Sequence, residues 1–541
     1  MRIRESLGLG AAIFGLFAAA TALVFWAWLP HLSTALIGPP EDNLQDFWNS
    51  WYAAAAAKPQ GFFHTDLIRY PEGLTLYYHS FAYPQVALLV ALTKLFGTAH
   101  TTLVALQNLT LLLSFPVAGT GAWFLARHFG VGPIAALASG FVFAFNPSHV
   151  AHAMHHAHVG WIGFIPFFVL AYLIALERKS TGWLAAASVL YALSALCCWY
   201  YLFYLLFFLV FHLVYLRVHE KAWPRGWPLL APALCLMGTV LLLSPWLVPM
   251  MWLAGNSNAY SGGTNVYVAD VAGYFTFPPT HALAAWTSDL FARIAPNRWE
   301  GTVYLGLINL ALLAWLCIRR RGPPLGYLIG GMITFAVFAS GETLHAFGHD
   351  FGFLHLPDIV LSKLPFFANV RTPSRAIVMV YLFLGIAVGT ALTLLARERR
   401  SAIVAAAVAL LLLDFYPVPR PMTDMRCPRE LGAIGGGAVL DLPSGYVEGN
   451  IYMARQTCHG HPILQGNIAR VLSTSLVDRL GSMTMEQRRA ALKAAHVGTV
   501  VITEPEDGLF QWPREDGARA DYERAFRTLA RGPRLTVLKV D

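Results

Sequence analysis

Apolar runs of bilayer length recur along this chain, and the polar stretches between them alternate in character. Short, basic connections follow every second run, while longer connections rich in Gly, Pro, aromatic and acidic residues follow the others. The first run extends from about Leu7 to Leu29 behind Arg2 and Arg4. That is long enough to cross a bilayer and too long for a signal-peptide core, so it is expected to remain as a first span with its N-terminus in the cytoplasm. Further spans are expected near 102–126, 133–147, 158–176, 182–198, 199–217, 228–253, 301–318, 324–341, 374–396 and 401–417, about eleven in all. The stretch from Pro84 to Gly97, interrupted by Lys94, is short for a span and suits a helix lying at the membrane surface. If it stays outside, the clusters Arg127-His128, Glu177-Arg178-Lys179, Arg217 to Arg225, Arg319-Arg320-Arg321 and Arg397 to Arg400 all become cytoplasmic, as the positive-inside rule requires.

Composition agrees with a mainly α, polytopic helical membrane protein. Over 541 residues, 56% are hydrophobic and only 13% charged, with a mean hydropathy of +0.52. An ordinary globular chain carries about 25% charged residues. The net charge of +8 comes from clusters between apolar runs, which is topology rather than a nucleic-acid patch, so no nucleic-acid partner is expected. Cys197, Cys198, Cys235 and Cys317 lie in apolar runs; Cys427 and Cys458 fall in the polar tail and can pair if it is extracytoplasmic. The chain therefore divides into a transmembrane part, 1–418, with a first outer loop at 30–101, and a small α/β domain, 419–541. In the tail, Ala438 to Leu442, Thr499 to Thr503 and Leu535 to Val540 read as strands and Met485 to Ala495 as a helix.

The long connections hold the candidate chemistry, and the topology collects them on one side. The loop Gly38 to Tyr83 carries Glu41, Asp42, Asp46, Asp66 and Glu72 against Lys58 and Arg69, and reads as a catalytic loop; the alternative is a set of solvated acids. The turn Asn146 to His158 holds His149, His152, His155, His156 and His158. On a helix, positions 152, 155 and 156 share a face, and both spacings suit metal ligands. The turn itself offers no Cys or carboxylate, so a role in binding phosphate or sugar is preferred to a zinc site, with structural histidines as the alternative. In the loop 254–300, Gly262-Gly263 and Pro278-Pro279 mark turns, and Asp270, His281 and Glu300 are the polar residues best placed to reach a cavity. Arg371 and Arg375 bracket Thr372-Pro373 at the mouth of a span, where two guanidinium groups and a helix N-terminus suit a lipid-linked phosphate; the alternative is snorkelling to headgroups. In the tail, His459, His461, Gln465 and Asn467 are expected on a surface loop. No D-x-D occurs in the outer loop, and neither a G-x-x-x-x-G-K-[ST] loop nor H-E-x-x-H is present, which disfavours a nucleotide-sugar enzyme, an ATPase and a zinc protease.

Several short motifs recur together in one known superfamily. They are Asp42 followed by Trp48-Asn49-Ser50-Trp51, the YPEG element at Tyr70 to Gly73, an N-P turn leading to His residues and Trp161, the ADVAGYF and YLG segments, and the R-T-P-S-R entry at 371–375. In these the chain resembles bacterial membrane glycosyltransferases of the GT-C superfamily, of the polyprenyl-phosphate-sugar dependent, mannosyl- or arabinosyltransferase-like kind. The resemblance implies inverting sugar transfer at the outer face of the bacterial inner membrane, with the C-terminal domain periplasmic. The donor would be a polyprenyl-phosphate-linked sugar, and the acceptor an envelope glycan, lipid or protein. It places the catalytic carboxylate on Asp42, with Asp46 as rival. From the residues themselves, Trp48, Trp51 and Tyr70 are expected to pack against sugar, and Glu72, His152, His155, His156, Asp270, Glu300, Arg371 and Arg375 to bind substrate. No cofactor is expected; a divalent cation is possible but not indicated. A lipid-linked glycan transporter or flippase and a non-catalytic envelope assembly protein are the alternatives, although the spans are nearly free of acids and show no clear repeat.

Overall fold

The computed structural model describes residues 3–57, 61–254, 266–320, 324–364, 370–418, 420–470, 474–503 and 519–541. The expected turn at Gly262-Gly263 lies outside them. Among the described residues, five helices are long and apolar enough to cross a membrane: His100–His128, Ala157–Arg178, Trp199–Glu220, Trp227–Leu253 and Pro373–Arg397. A bent pair, Pro133–Ala144 with Pro147–His155, makes a sixth candidate. Six shorter apolar helices accompany them, so this is a multi-pass membrane protein. Among the short ones is Tyr83–Phe96, the helix expected at the membrane surface, which buries only Gln85, Val86, Leu89 and Thr93. The continuous apolar stretch 182–217 breaks at Cys198, whose extended backbone separates Thr181–Cys197 from Trp199–Glu220.

Burial ranks the spans. The window in Pro373–Arg397 is 94% buried and that in Trp227–Leu253 only 17%. The first is the central post of the bundle and the second faces lipid. In lipid, apolar contact gives no advantage over acyl chains, so close packing of small residues holds helices together. Gly389 illustrates this, because a Cβ there would stand 2.1 Å from Ser139 Oγ on Pro133–Ala144.

A sharp bend separates Pro133–Ala144 from Pro147–His155, at 43°. The sequence NP dictates it. Asn146 leaves the helical conformation and its side-chain oxygen accepts from His149 N at 2.8 Å, while Pro147 opens the next helix with its φ already set.

The tail is fastened to the first long loop along its length. Ala35–Ile37 pairs antiparallel with Met422–Asp424. The helix Tyr446–His459 packs on Asp42–Trp51, where Trp48 Nε1 donates to Gln456 Oε1 at 2.7 Å. A disulfide joins Cys427 to Cys458. Behind them stands a four-stranded sheet in the order Ala438–Leu442, Val497–Thr503, Leu535–Lys539, Arg527–Arg531, the first pair parallel and the others antiparallel. Three of these strands match the expected ones. Arg527–Arg531 was not expected, since RTLAR lacks an apolar alternation; it is an exposed edge strand held by backbone pairing. Nor is the segment 459–467 a plain surface loop, because Gln465 is buried and bonds the backbone of Asp441.

Gly38 sets how closely the loop approaches the histidine helix. Its φ is +102°, and a Cβ would stand 1.8 Å from the Met154 carbonyl oxygen. Gly38→Ala is therefore expected to cost at least about 1–3 kcal/mol and to lower the unfolding midpoint of the detergent-solubilised protein. Gly432→Ala, which meets nothing within 4 Å, should leave the midpoint unchanged.

Candidate active site

Glu41 and Asp42 stand at the start of the helix Asp42–Trp51, where the unpaired amides of the first turn favour negative charge. One Asp42 oxygen, Oδ1, accepts from Asn450 Nδ2 at 3.0 Å, and the other lies 3.0 Å from His156 Nε2. Glu41 takes Arg298 Nη2 at 2.8 Å and Trp299 Nε1 at 2.7 Å, and its Oε2 lies 2.9 Å from His155 Nδ1. The His155 ring stacks on Trp299 with centroids 5.1 Å apart. Behind this rim, buried Glu300 receives Arg375 Nε at 3.0 Å together with the Arg375 Nη2, and lies 3.1 Å from His152 Nε2. His156 Nδ1 is 3.7 Å from Glu300 Oε1. A continuous chain thus runs Asp42, His156, Glu300, Arg375. It joins the first loop, the bent helix, the loop before Leu307–Arg319 and the entrance of the central span. A narrow cleft beside it is lined by Asn146, Ser148, His152, Tyr201 and Arg375.

Electrostatics fix the charge states. Burial works against ionisation of Asp42, but the His156, His155 and His158 imidazoles outweigh it and hold the carboxyl well below the usual range. Glu41 is likewise opposed by burial and drawn down to about 2 by His155, Trp299 and Arg298. Glu300 stays ionised despite complete burial because Arg375 and His152 face it. Burial pushes His156 down to about 3, so its ring is neutral at pH 7. Since Asp42 accepts only, the proton sits on Nε2 and donates to it. That leaves the Nδ1 lone pair buried, without a hydrogen-bond partner, facing a Glu300 oxygen.

This arrangement fits a cation. Asp42, His155 and His156 form one group whose donor atoms lie within 4.8 Å of each other, and His152, His156 and Glu300 form another. A carboxylate with two imidazoles is a donor set that zinc accepts. The histidine turn offers no carboxylate of its own, and the fold supplies two from distant loops.

The expected site residues divide cleanly. Asp42, His152, His155, His156, Glu300 and Arg375 come together. Asp46 instead accepts from the Ala157 amide at 2.7 Å and contacts His158 Nδ1 at 3.2 Å, which steadies the histidine segment. Trp48 and Trp51 are buried in the seam with the tail, Trp48 stacked on Tyr52. Tyr70 packs against the tail's core, and Glu72 bonds Arg479 Nη2 and the Leu476 amide at 2.6 and 3.0 Å. These four dock the tail and do not line the site. Asp270 spends its carboxylate on the amides of Ala272, Phe347 and Gly348, all within 2.9 Å. The Arg371 side chain is exposed and outside the network, so the two arginines do not act as a pair. Sequence reasoning missed Asn450, Arg298 and Trp299; the NRWEG run flanking Glu300 was the available signal for the last two.

The chain is similar to the archaeal oligosaccharyltransferase AglB from Archaeoglobus fulgidus, solved with an inhibitory peptide and a dolichol-phosphate, at 12% identity, TM-score 0.52, over 92% of this chain and 69% of that one. The Archaeoglobus fulgidus oligosaccharyltransferase in complex with Zn and sulfate matches with 12% identity and TM-score 0.51, over 91% of this chain and 68% of that one. No curated protein matches the sequence. Residues 12–416 match the family described as a domain of unknown function, DUF6311, and the chain belongs to that family.

Because the folded-state Glu41 carboxyl lies near 2 against its usual 4.5, its contribution to stability is complete above that usual value and is lost as pH falls toward 2. Unfolding midpoints measured in detergent from about pH 6 to about pH 3 should therefore drop more for the wild type than for Glu41→Gln.

Proposed function

We propose that this protein is a membrane glycosyltransferase that moves a sugar from a polyprenyl-phosphate donor to an envelope glycan, lipid or protein acceptor. Its N-terminus would be cytoplasmic and its site and tail would lie outside the bacterial inner membrane, where the long connections gather. The observation that carries the reading is Asp42. It is an ionised carboxylate, its side chain 22% exposed at the rim of an otherwise buried network, oriented by hydrogen bonds from a neutral imidazole and an amide. The shared fold supports the donor class, since AglB has been solved with a lipid phosphate and a peptide.

In this scheme Asp42 accepts the proton of the acceptor hydroxyl as its oxygen bonds to the anomeric carbon. The bond from that carbon to the lipid phosphate oxygen breaks, and the electron pair leaves with the phosphate. His156 Nε2 and Asn450 Nδ2 hold the carboxylate plane, and Glu300 with Arg375 holds the histidine helix against the central span. Arg375 is already satisfied by Glu300, which revises its expected role from phosphate clamp to positioning. Arg298, about half exposed beside Glu41, and Arg371 at the span mouth remain to meet the departing phosphate. A divalent cation held by His152, His156 and Glu300, on the side of the free His156 Nδ1 lone pair, would add positive charge for the donor phosphate and leave Asp42 free to act as base. Inverting stereochemistry follows from a single displacement of this kind.

The test compares lipid-linked sugars and envelope glycans by mass spectrometry in cells with the gene, without it, and with Asp42→Asn. Loss of the gene should deplete one glycan and accumulate its donor. Asp42→Asn, at unchanged protein level, should reduce transfer by about 10²-fold or more. A mutant with wild-type product would refute the assignment of the base.

A further inference from the structure

Between the helix Leu325–Ala339 and the central span lies a two-stranded hairpin, Thr343–Ala346 with His349–His355, whose second strand is exposed at every position. Such exposure is ordinary for polar strands, but this one reads HDFGFLH. Side chains alternate faces along the regularly paired part of a strand, so His349 and Phe351 share one face and Asp350 takes the other; beyond Phe351 the register shifts, His355 pairing Thr343 while Phe351 pairs Leu344. The Phe351 and Phe353 rings touch edge to face, 6.0 Å apart, with Phe353 81% exposed. Phe347 at the turn and Val360 just beyond the hairpin are 60% and 63% exposed. Asp350 lies 3.8 Å from His345 on the adjoining strand, so charge is kept to the face opposite the rings.

The hairpin is held rigidly. Asp270 binds the turn amides of Phe347 and Gly348, and Ala269 N donates to the Ala339 carbonyl at 2.8 Å. It is also tethered at the membrane. Only Ser340, Gly341 and Glu342 separate it from the end of Leu325–Ala339, and four peptide steps reach about 14 Å at most. The headgroup layer beyond the hydrocarbon is itself about 5–8 Å deep on each side. A strand on so short a tether begins at or near that layer.

From this the geometry points to a membrane-contact surface: the Phe351 and Phe353 face of the hairpin rests in the headgroup and acyl boundary of the leaflet on the side of the Asp42 site. The occupant is the bilayer itself, because the three-residue tether keeps the exposed Phe351 and Phe353 within reach of the headgroup layer, and Phe and imidazole side by side suit a layer with an apolar floor and a wet roof. The side follows from the chain. Leu325–Ala339 ends where Pro373–Arg397 begins, and Arg375 at that beginning binds Glu300 of the site. The proposal is independent of any sugar-transfer activity.

A fluorescent reporter tests it. Full-length protein with its disulfide intact carries Cys317→Ser to remove the accessible native thiol, together with Phe353→Cys labelled with NBD, and is placed in nanodiscs of phosphatidylcholine and phosphatidylglycerol. Nitroxide lipids bearing the spin label high on the acyl chain should quench the Phe353→Cys reporter, and aqueous iodide should not. Asp350→Cys, on the other face, and Arg524→Cys, exposed on the tail, should show the reverse. Iodide quenching of Phe353→Cys equal to that of Arg524→Cys would overturn the proposal. So would shielding from both quenchers, which would mean that protein, such as a second copy of this chain, covers the face, and so would identical behaviour at positions 350 and 353.

Discussion

A carboxylate and a guanidinium buried together at the base of the site hold this structure in register. Taking two such ions out of water costs several kcal/mol each, and only close geometry with further hydrogen bonds offsets it. Glu300 and Arg375 meet that condition: the guanidinium contacts the carboxylate through Nε and Nη2, His152 approaches the second oxygen, and the Tyr200 ring lies 4.9 Å beneath Arg375. Arg375 belongs to the entrance of the most buried span and Glu300 to a loop 75 residues earlier. Their contact therefore locks a long loop onto the bundle's central post.

The rest of the site is built outward from that lock. His152 and His156 are brought to Glu300 because Asn146 and Pro147 bend the helix between them and the preceding span. His156 carries the connection on to Asp42, and His155 to Glu41, so that charge is least buried at the rim and most buried at the base. A neutral imidazole between two carboxylates keeps one nitrogen for Asp42 and presents the other as a lone pair. The same geometry that orients a base thus leaves a place for a positive ion.

How much of this was legible in the sequence follows from which contacts are local. The long apolar helices were readable because repeated apolar runs of bilayer length are favourable in lipid and costly in water, and the shorter run before Gly97 was readable as a separate short helix, Tyr83–Phe96. Asp42, Glu300, Arg375 and the histidines stood out as polar residues with no reason to be in their surroundings. Their pairing did not, since nothing local says that Arg375 meets Glu300 rather than Arg371 and a phosphate. Aromatic residues misled most. Trp48, Trp51 and Tyr70 look like a sugar platform in an isolated loop, but the tail returns across hundreds of residues to bury them, and Gln456, the partner of Trp48 Nε1, lies in a helix that sequence patterning did not reveal. Asp270 shows the same limit, its carboxylate being consumed by backbone amides of a hairpin 77 residues away.

A double-mutant cycle on Glu300→Gln and Arg375→Gln, read as unfolding free energies of the full-length protein in mixed detergent micelles, interrogates the lock most directly. Each single change should destabilise by about 3–5 kcal/mol, because it strands a buried charge, and the double variant should lose clearly less than the sum of the two. Losses that add to within about 0.5 kcal/mol would show that the two residues do not hold the loop to the span, and the site described here would not exist as built.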